Sequence, residues 1–331
     1  MSDGLEDIAF VLMGWLLTPL GVGLALAARG LWRRRIRGRR RWPWVAGTGL
    51  ALALAVVSLG LGGYGLWVRY RPHPAVSVAL HPGIHYRVFG RLEPRPMVVH
   101  VVTVQLTEPG LSLVLSPPSP TPGCLPAQTG SAFLAERRVQ LAVNAQFFYA
   151  CPGTGAGSAD PSELRPGQLL RPVGVHAVGG RSVVSHPWNG NTVYVGKDGA
   201  VSLYERPATL HHAVSGRHRL VEAGRAMQVD DGLLAPRVAL GFDAAREVMT
   251  VVLVDGRQRG YSEGVTLPEL SALLVELGVH DAIELDGGGS ATLVTEGDDG
   301  EPRVLNSPIH TRIPGRERPV ANHLGVRVGP G

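Results

Sequence analysis

Residues 281–294 read DAIELDGGGSATLV, and the reading of the chain starts there. An apolar run ends on a carboxylate, Asp286. Gly287, Gly288 and Gly289 follow, then Ser290, then a second apolar run. A strand that stops at an aspartate and opens into consecutive glycines lets backbone N–H groups approach a ligand without side-chain obstruction. Successive N–H groups in such a turn form a nest that attracts anions. At its lip, Asp286 is placed to bind a metal, orient a sugar hydroxyl or take a proton. The plain alternative is a tight turn that needs glycine only for its backbone angles.

The unit upstream sharpens the picture. VMTVVLVD, residues 248–255, reads as a buried strand ending at Asp255-Gly256-Arg257. TLPELSALLVELG, residues 266–278, reads as a helix. Thr266 is its N-cap, Pro268 lies in the first turn, and Glu269 closes a capping box and is a cap rather than a catalyst. Leu267, Leu270, Leu274 and Leu277 form one apolar stripe, and Gly278 ends the helix. AIELD is the next strand. If both strands join one sheet, the crossover makes them parallel, and Asp255 and Asp286 share its C-terminal edge, where open α/β sheets hold ligands.

Short strands are expected at 98–106, 111–115, 139–143, 192–204, 210–214 and 238–242, with a short helix at 131–138. Residues 116–123 form a proline-rich surface loop. Residues 144–167 form a long Gly/Pro-rich loop of the kind that is often functional. There is no internal repeat. GGGSAT is not a nucleophile elbow, because Thr292 stands where the second glycine belongs. The glycines after Cys151 follow no strand, so they are no dinucleotide fingerprint. There is no phosphate-binding P-loop. His211-His212 is a pair without the spacing of a metal site.

The first 68 residues are unlike the rest. Residues 8–28 and 44–68 are apolar and reach the roughly 20 residues needed to cross a bilayer. The loop between them, 29–43, holds eight arginines and no acid. By the positive-inside rule it faces the cytoplasm, which puts both termini and the main domain outside. Trp15, Trp32, Trp42, Trp44 and Trp67 mostly fall near the expected interfaces. A cleaved signal peptide fails as a reading of the first span, since residues 1–7 carry acids and no Lys or Arg. The expectation is a two-helix transmembrane hairpin (1–68), a linker and start of the domain (69–97), and a soluble domain (98–331). The fold class expected is mixed α+β and α/β: a mixed β-sheet domain containing a βαβ unit, preceded by that hairpin.

Topology also explains the charge. Residues 1–68 net +5, which is the net charge of the whole chain. The remaining 24 basic residues balance 24 acids, so nothing demands a nucleic-acid partner. Both cysteines, Cys124 and Cys151, lie in the outer part, where a disulfide is permitted; two unpaired thiols are the alternative. A zinc site would need more ligands at closer spacing.

The soluble part resembles the phosphodiester glycosidase family, that of the lysosomal uncovering enzyme. The resemblance covers roughly 139–328 and rests on ordered blocks. LAVNAQFF carries Asn144, PRVALGFD carries Arg237, and VVLVDGR carries Asp255 and Arg257. Residues 263–294, including the glycine cradle, match best; VLNSP brings Asn306, and RERPVANHLGV brings Arg318 and Asn322. Ala145-Gln146 departs from the two glycines common in the family, so Gln146 either adds an amide to the site or narrows it.

The resemblance implies a hydrolase that cleaves a sugar C1–oxygen bond to phosphate. Phosphate is a weakly basic leaving group, so stabilising its oxygens matters more than protonating it. Arg237, Arg257 and Arg318 can donate forked hydrogen bonds to phosphate, as can the N–H groups of Gly287, Gly288, Gly289 and Ser290. A carboxylate must activate water or stabilise the oxocarbenium-like centre. Asp286 is the first choice and Asp255 the second. Asn144, Gln146, Asn306 and Asn322 suit the substrate. The residues name no cofactor, and a divalent cation held by the two acids is an alternative. The expected partners are the lipid bilayer and a phosphoglycan of the envelope or an extracellular polysaccharide. Two other readings compete: a non-catalytic glycan-binding module, and a metal-dependent phosphodiesterase that cuts the P–O bond.

Overall fold

The computed structural model describes residues 42–70, 74–151, 163–185 and 191–329, together with Gly23, Leu26 and Arg29. The chain divides into two units, Met1–Pro72 with Arg259–Tyr261, and His73–Gln258 with Ser262–Gly331. In the first unit one helix spans Trp42–Tyr70. Its segment Gly49–Trp67 is long and apolar enough to cross a membrane. Leu50, Leu52, Leu54, Val56, Val57, Leu59 and Leu61 are all exposed on it, more apolar surface than a soluble helix presents to water. The two-helix hairpin is corrected: among the described residues there is one membrane-length helix. The first span, 8–28, and almost all of the arginine loop lie outside the described residues.

The second unit is mostly β. Its largest sheet has eight strands in the order Val76–His81, Ile84–Arg91, Met97–Gln105, Val248–Val254, Arg237–Phe242, Asp281–Leu285, Arg219–Glu222, Arg225–Ala226. Every neighbouring pair is antiparallel. Residues 76–91, within the stretch read as a linker and domain start, therefore form the sheet's outer hairpin. A five-stranded antiparallel sheet orders Pro302–Val304, Leu293–Glu296, Leu141–Asn144, His323–Val328 and Leu111–Leu115. A second five-stranded sheet and a three-stranded one complete the unit.

The mixed α/β expectation is thus overturned: the sheets are antiparallel and helices are few. The reason lies in the unit from 248 to 286. Its strand, helix and next strand form as expected, and Val248–Val254 runs parallel to Asp281–Leu285. Arg237–Phe242 sits between them, antiparallel to both. Val254 lies opposite Arg237, and Leu285 lies opposite Val238. Asp255 and Asp286 consequently leave the sheet at one edge with the start of the middle strand between them.

The helix Leu267–Glu276 begins in the expected capping box of Thr266 and Glu269. Its leucines, Leu267, Leu270, Leu273 and Leu274, pack on Val99, Val101, Ala239, Val252 and Ala282. Full burial of each such leucine is worth about 1.5–3 kcal/mol, enough to fix the helix on that face. On the opposite face Leu240, Phe242 and Met249 meet Leu113, Leu115, Val193 and Leu324 from the five-stranded sheets. The two-sided burial explains why the strand Arg237–Phe242 has no exposed residue. Cys124 and Cys151 form a disulfide, tying the proline-rich loop to the strand Phe148–Ala150.

Candidate active site

The glycine cradle is a short 3-10 turn, Gly288–Ser290, set directly after Gly287. Each glycine is demanded by something specific. A Cβ on Gly287 would lie 2.6 Å from the Pro236 carbonyl oxygen. Gly288 has a φ of +58°, and a Cβ there would meet the Arg257 guanidinium at 3.3 Å. A Cβ on Gly289 would collide with the Arg318 guanidinium. Two arginines therefore lie flat against the cradle because it carries no side chains. Arg318 also donates to the Ser290 hydroxyl at 3.2 Å and to His310 Nδ1 at 3.3 Å. Arg257 is solvent-exposed and itself adopts a left-handed φ of 58°.

Asp286 stands among these groups. Its backbone N–H donates to the Ala145 carbonyl at 2.8 Å, and its carbonyl accepts from Asn144 Nδ2 at 2.6 Å. Part of the residue faces solvent although its carboxyl is ringed by protein. Burial pushes its pKa up to about 6; the Ser290 hydroxyl, Arg318, the Gly287 N–H and Arg257 pull the other way. Burial lowers the pKa of Arg318, while Asp286 opposes that shift. His310 is held down at about 4 by burial and then by Arg318 and Arg316, so it accepts from Arg318 as a neutral ring.

Asp255 has a different setting. It is 1% exposed. Its carboxylate meets His100 Nε2 at 3.1 Å and accepts from Asn306 Nδ2 at 3.0 Å and from the Ser307 N–H at 3.0 and 3.1 Å. His100 Nδ1 in turn meets the Tyr86 hydroxyl at 2.8 Å. Gln258 and Ser307 exchange two further bonds, of 2.8 and 2.9 Å. The loop that presents Arg257 is thus pinned on both sides of that residue.

The other expected substrate contacts turn inward. Arg237 bonds Glu284 at 2.8 Å and Asp231 at 2.7 Å and is 5% exposed. Asn144 clamps the cradle from below, accepting from the Thr292 N–H at 3.0 Å. Asn306 accepts from the Leu293 N–H at 2.9 Å and donates to the Ala291 carbonyl at 3.1 Å. Asn322 and Gln146 are buried and bond each other at 2.8 Å; Gln146 also donates to the Val173 carbonyl at 2.7 Å. Gln146 thus links the residue before the strand His323–Val328 to the residue after the strand Leu169–Pro172, and its amide faces the interior. His310, Ser307, His100 and Gln258 were not singled out in the sequence. Each is a lone polar residue without diagnostic spacing, and only the fold gives it a partner. Among the described residues no three His, Cys, Asp or Glu side chains gather as a metal set.

This geometry meets an independent finding. The sequence model of the phosphodiester glycosidase family matches residues 137–327, more than half of the 331 residues. The chain belongs to that family. No curated protein matches the sequence. Among solved structures, a hypothetical protein from Synechocystis superposes with a TM-score of 0.54 at 16% identity, over 78% of this chain and 64% of that one. This chain thus spans a little under two thirds of that protein. The catalytic domain of zebrafish N-acetylglucosamine-1-phosphodiester alpha-N-acetylglucosaminidase, auto-inhibited by its pro-peptide, superposes with a TM-score of 0.53 at 19% identity, over 79% of this chain and 92% of that one. At such identities the likeness is one of fold.

Proposed function

We propose that the chain hydrolyses glycosyl phosphodiesters of an envelope or extracellular polysaccharide, breaking the sugar C1–oxygen bond. One observation carries the reading: two guanidiniums lie on a glycine cradle beside a carboxylate whose pKa is raised to about 6. Arg257 and Arg318 hold the phosphate oxygens. The cradle N–H groups of Gly288 and Ser290 already bond the Pro236 and Gly287 carbonyls, and that of Gly287 bonds the Asp286 carboxyl, so the anion nest expected from the sequence is corrected to a platform for the two guanidiniums. Asp286, ionised above pH 6, takes a proton from water as the water oxygen adds to C1. The C1–O bond breaks, and the phosphomonoester leaves with the bridging oxygen and its electron pair. Asp255 acts through Ser307, Asn306 and the Arg257 loop as a positioning residue. We further propose that Gly49–Trp67 anchors the protein, with the eight arginines before it on the cytoplasmic side and the disulfide-bonded domain outside.

Sugar release from a chromogenic sugar-1-phosphodiester tests the reaction, with Asp286→Asn as control. Hydrolysis in isotopically labelled water should put the label on the sugar. Label in the phosphate would mean P–O cleavage, and saturable binding without turnover would mean a glycan-binding module.

A further inference from the structure

A third arginine, Arg217, stands on backbone that borders the Asp286 strand and plays no part in the chemistry above. Arg217 is half-buried, and its guanidinium lies over the half-buried Phe147 ring, 5.6 Å from the centroid. Both residues are tied to the backbone around Asp286. The Arg217 N–H donates to the Glu284 carbonyl at 2.9 Å, and Glu284 is two residues before Asp286. Phe147 is two residues after Ala145, whose carbonyl accepts the Asp286 N–H. Gly216 permits the approach, because a Cβ there would strike the Glu284 carbonyl.

The charges fall into two groups. Arg318 and Arg257 act on Asp286, whereas Arg237 and Arg217 act on Glu284. Arg237 bonds both Glu284 and Asp231 directly. Among the described residues no carboxylate comes within ion-pair distance of Arg217. A partly exposed guanidinium on an aromatic face, with no carboxylate at ion-pair distance among the described residues, is a site for a planar anion carried on a flat apolar body.

We propose that Phe147 and Arg217 form the subsite for the sugar and that it selects a hexuronic acid, stacking the ring on Phe147 and holding the carboxylate on Arg217. This rests on the hydrolase reading, with the phosphate at Arg257 and Arg318 and C1 at Asp286.

The test uses the full-length protein and two chromogenic phosphodiesters, of glucose and of glucuronic acid, which differ only in the oxidation of C6. The glucuronyl substrate should have the higher kcat/KM. Arg217→Gln should lower the ratio of glucuronyl to glucosyl kcat/KM about tenfold or more, the worth of one charge-assisted hydrogen-bond pair. Arg217→Lys should restore part of that ratio, and melting curves check that each variant folds. An unchanged ratio in Arg217→Gln, or a wild-type preference for glucose, overturns the subsite even if hydrolysis proceeds. Calorimetric titration with glucuronic acid 1-phosphate separates the two claims. Binding that depends on Arg217, in a protein that turns over neither substrate, keeps the subsite and removes the hydrolase reading.

Discussion

Two strands of the large sheet end in the same words, aspartate then glycine, and meet opposite fates. At Asp255 the fold closes: His100, Asn306 and Ser307 occupy the carboxylate and the residue is 1% exposed. At Asp286 it stays partly open, with two guanidiniums close by as well as the Ser290 hydroxyl and the Gly287 N–H, and a pKa raised to about 6. The lesson is that a carboxylate at a sheet edge becomes an anchor or a reagent according to what the next loops supply. A full set of backbone and amide donors makes an anchor. Partial burial beside cations leaves a group poised to exchange a proton.

Breaking the reagent side should give the largest effect. Asp286→Asn should cut kcat by about 100- to 10,000-fold, the usual worth of a general base, in steady-state assays with a sugar-1-phosphodiester. On the anchor side, Asp255→Asn sets an amide against donors. It should lower stability by about 3 kcal/mol, read from urea midpoints. A stable but inactive Asp255→Asn would instead put that residue in contact with substrate and erase the distinction. Gly289→Ala pushes the Arg318 guanidinium aside. Displacements of about 1 Å can cost about 100-fold, so kcat/KM should fall by that order with little change in melting temperature.

The smallest effect concerns pH. The folded-state pKa of Asp286 lies above its ordinary 3.8, at about 6. Its contribution to stability is therefore present below 3.8 and is lost as pH rises through 6. Asp286→Asn should melt higher than the wild type at pH 7.5 and lose that advantage near pH 4. Over the same range the activity of the wild type should rise with pH, with a midpoint near 6. A midpoint near 4 would mean that the carboxyl is less enclosed than its neighbours suggest.

Much of this could be read in advance because the signals were local. The capping box of Thr266 and Glu269, the leucine stripe and the disulfide partners all follow from short-range pattern and composition. The shared edge of Asp255 and Asp286 followed from strand-helix-strand order, and the registers of both strands against Arg237–Phe242 agree with it. The sheet class did not follow. A crossover fixes the relative direction of two strands but not whether a third lies between them, and the intervening strand made every pairing antiparallel. The membrane hairpin was likewise an inference from hydropathy, and the described residues carry one such helix.

The asparagines show the limit most clearly. By residue type Asn144, Asn306 and Asn322 suit sugar hydroxyls. Each instead bonds internal groups. An amide has the same hydrogen-bonding capacity toward a backbone carbonyl as toward a ligand, so its partner is chosen by whatever the fold brings nearest.

The sequence by itself determined the glycine cradle, its aspartate, the two cysteines and the arginines, because backbone freedom and charge are properties of single residues. Only the tertiary structure decided which arginines reach the cradle, which aspartate is sealed and which amides face inward. Burial and pairing are set by segments distant in the chain, and no local pattern encodes them.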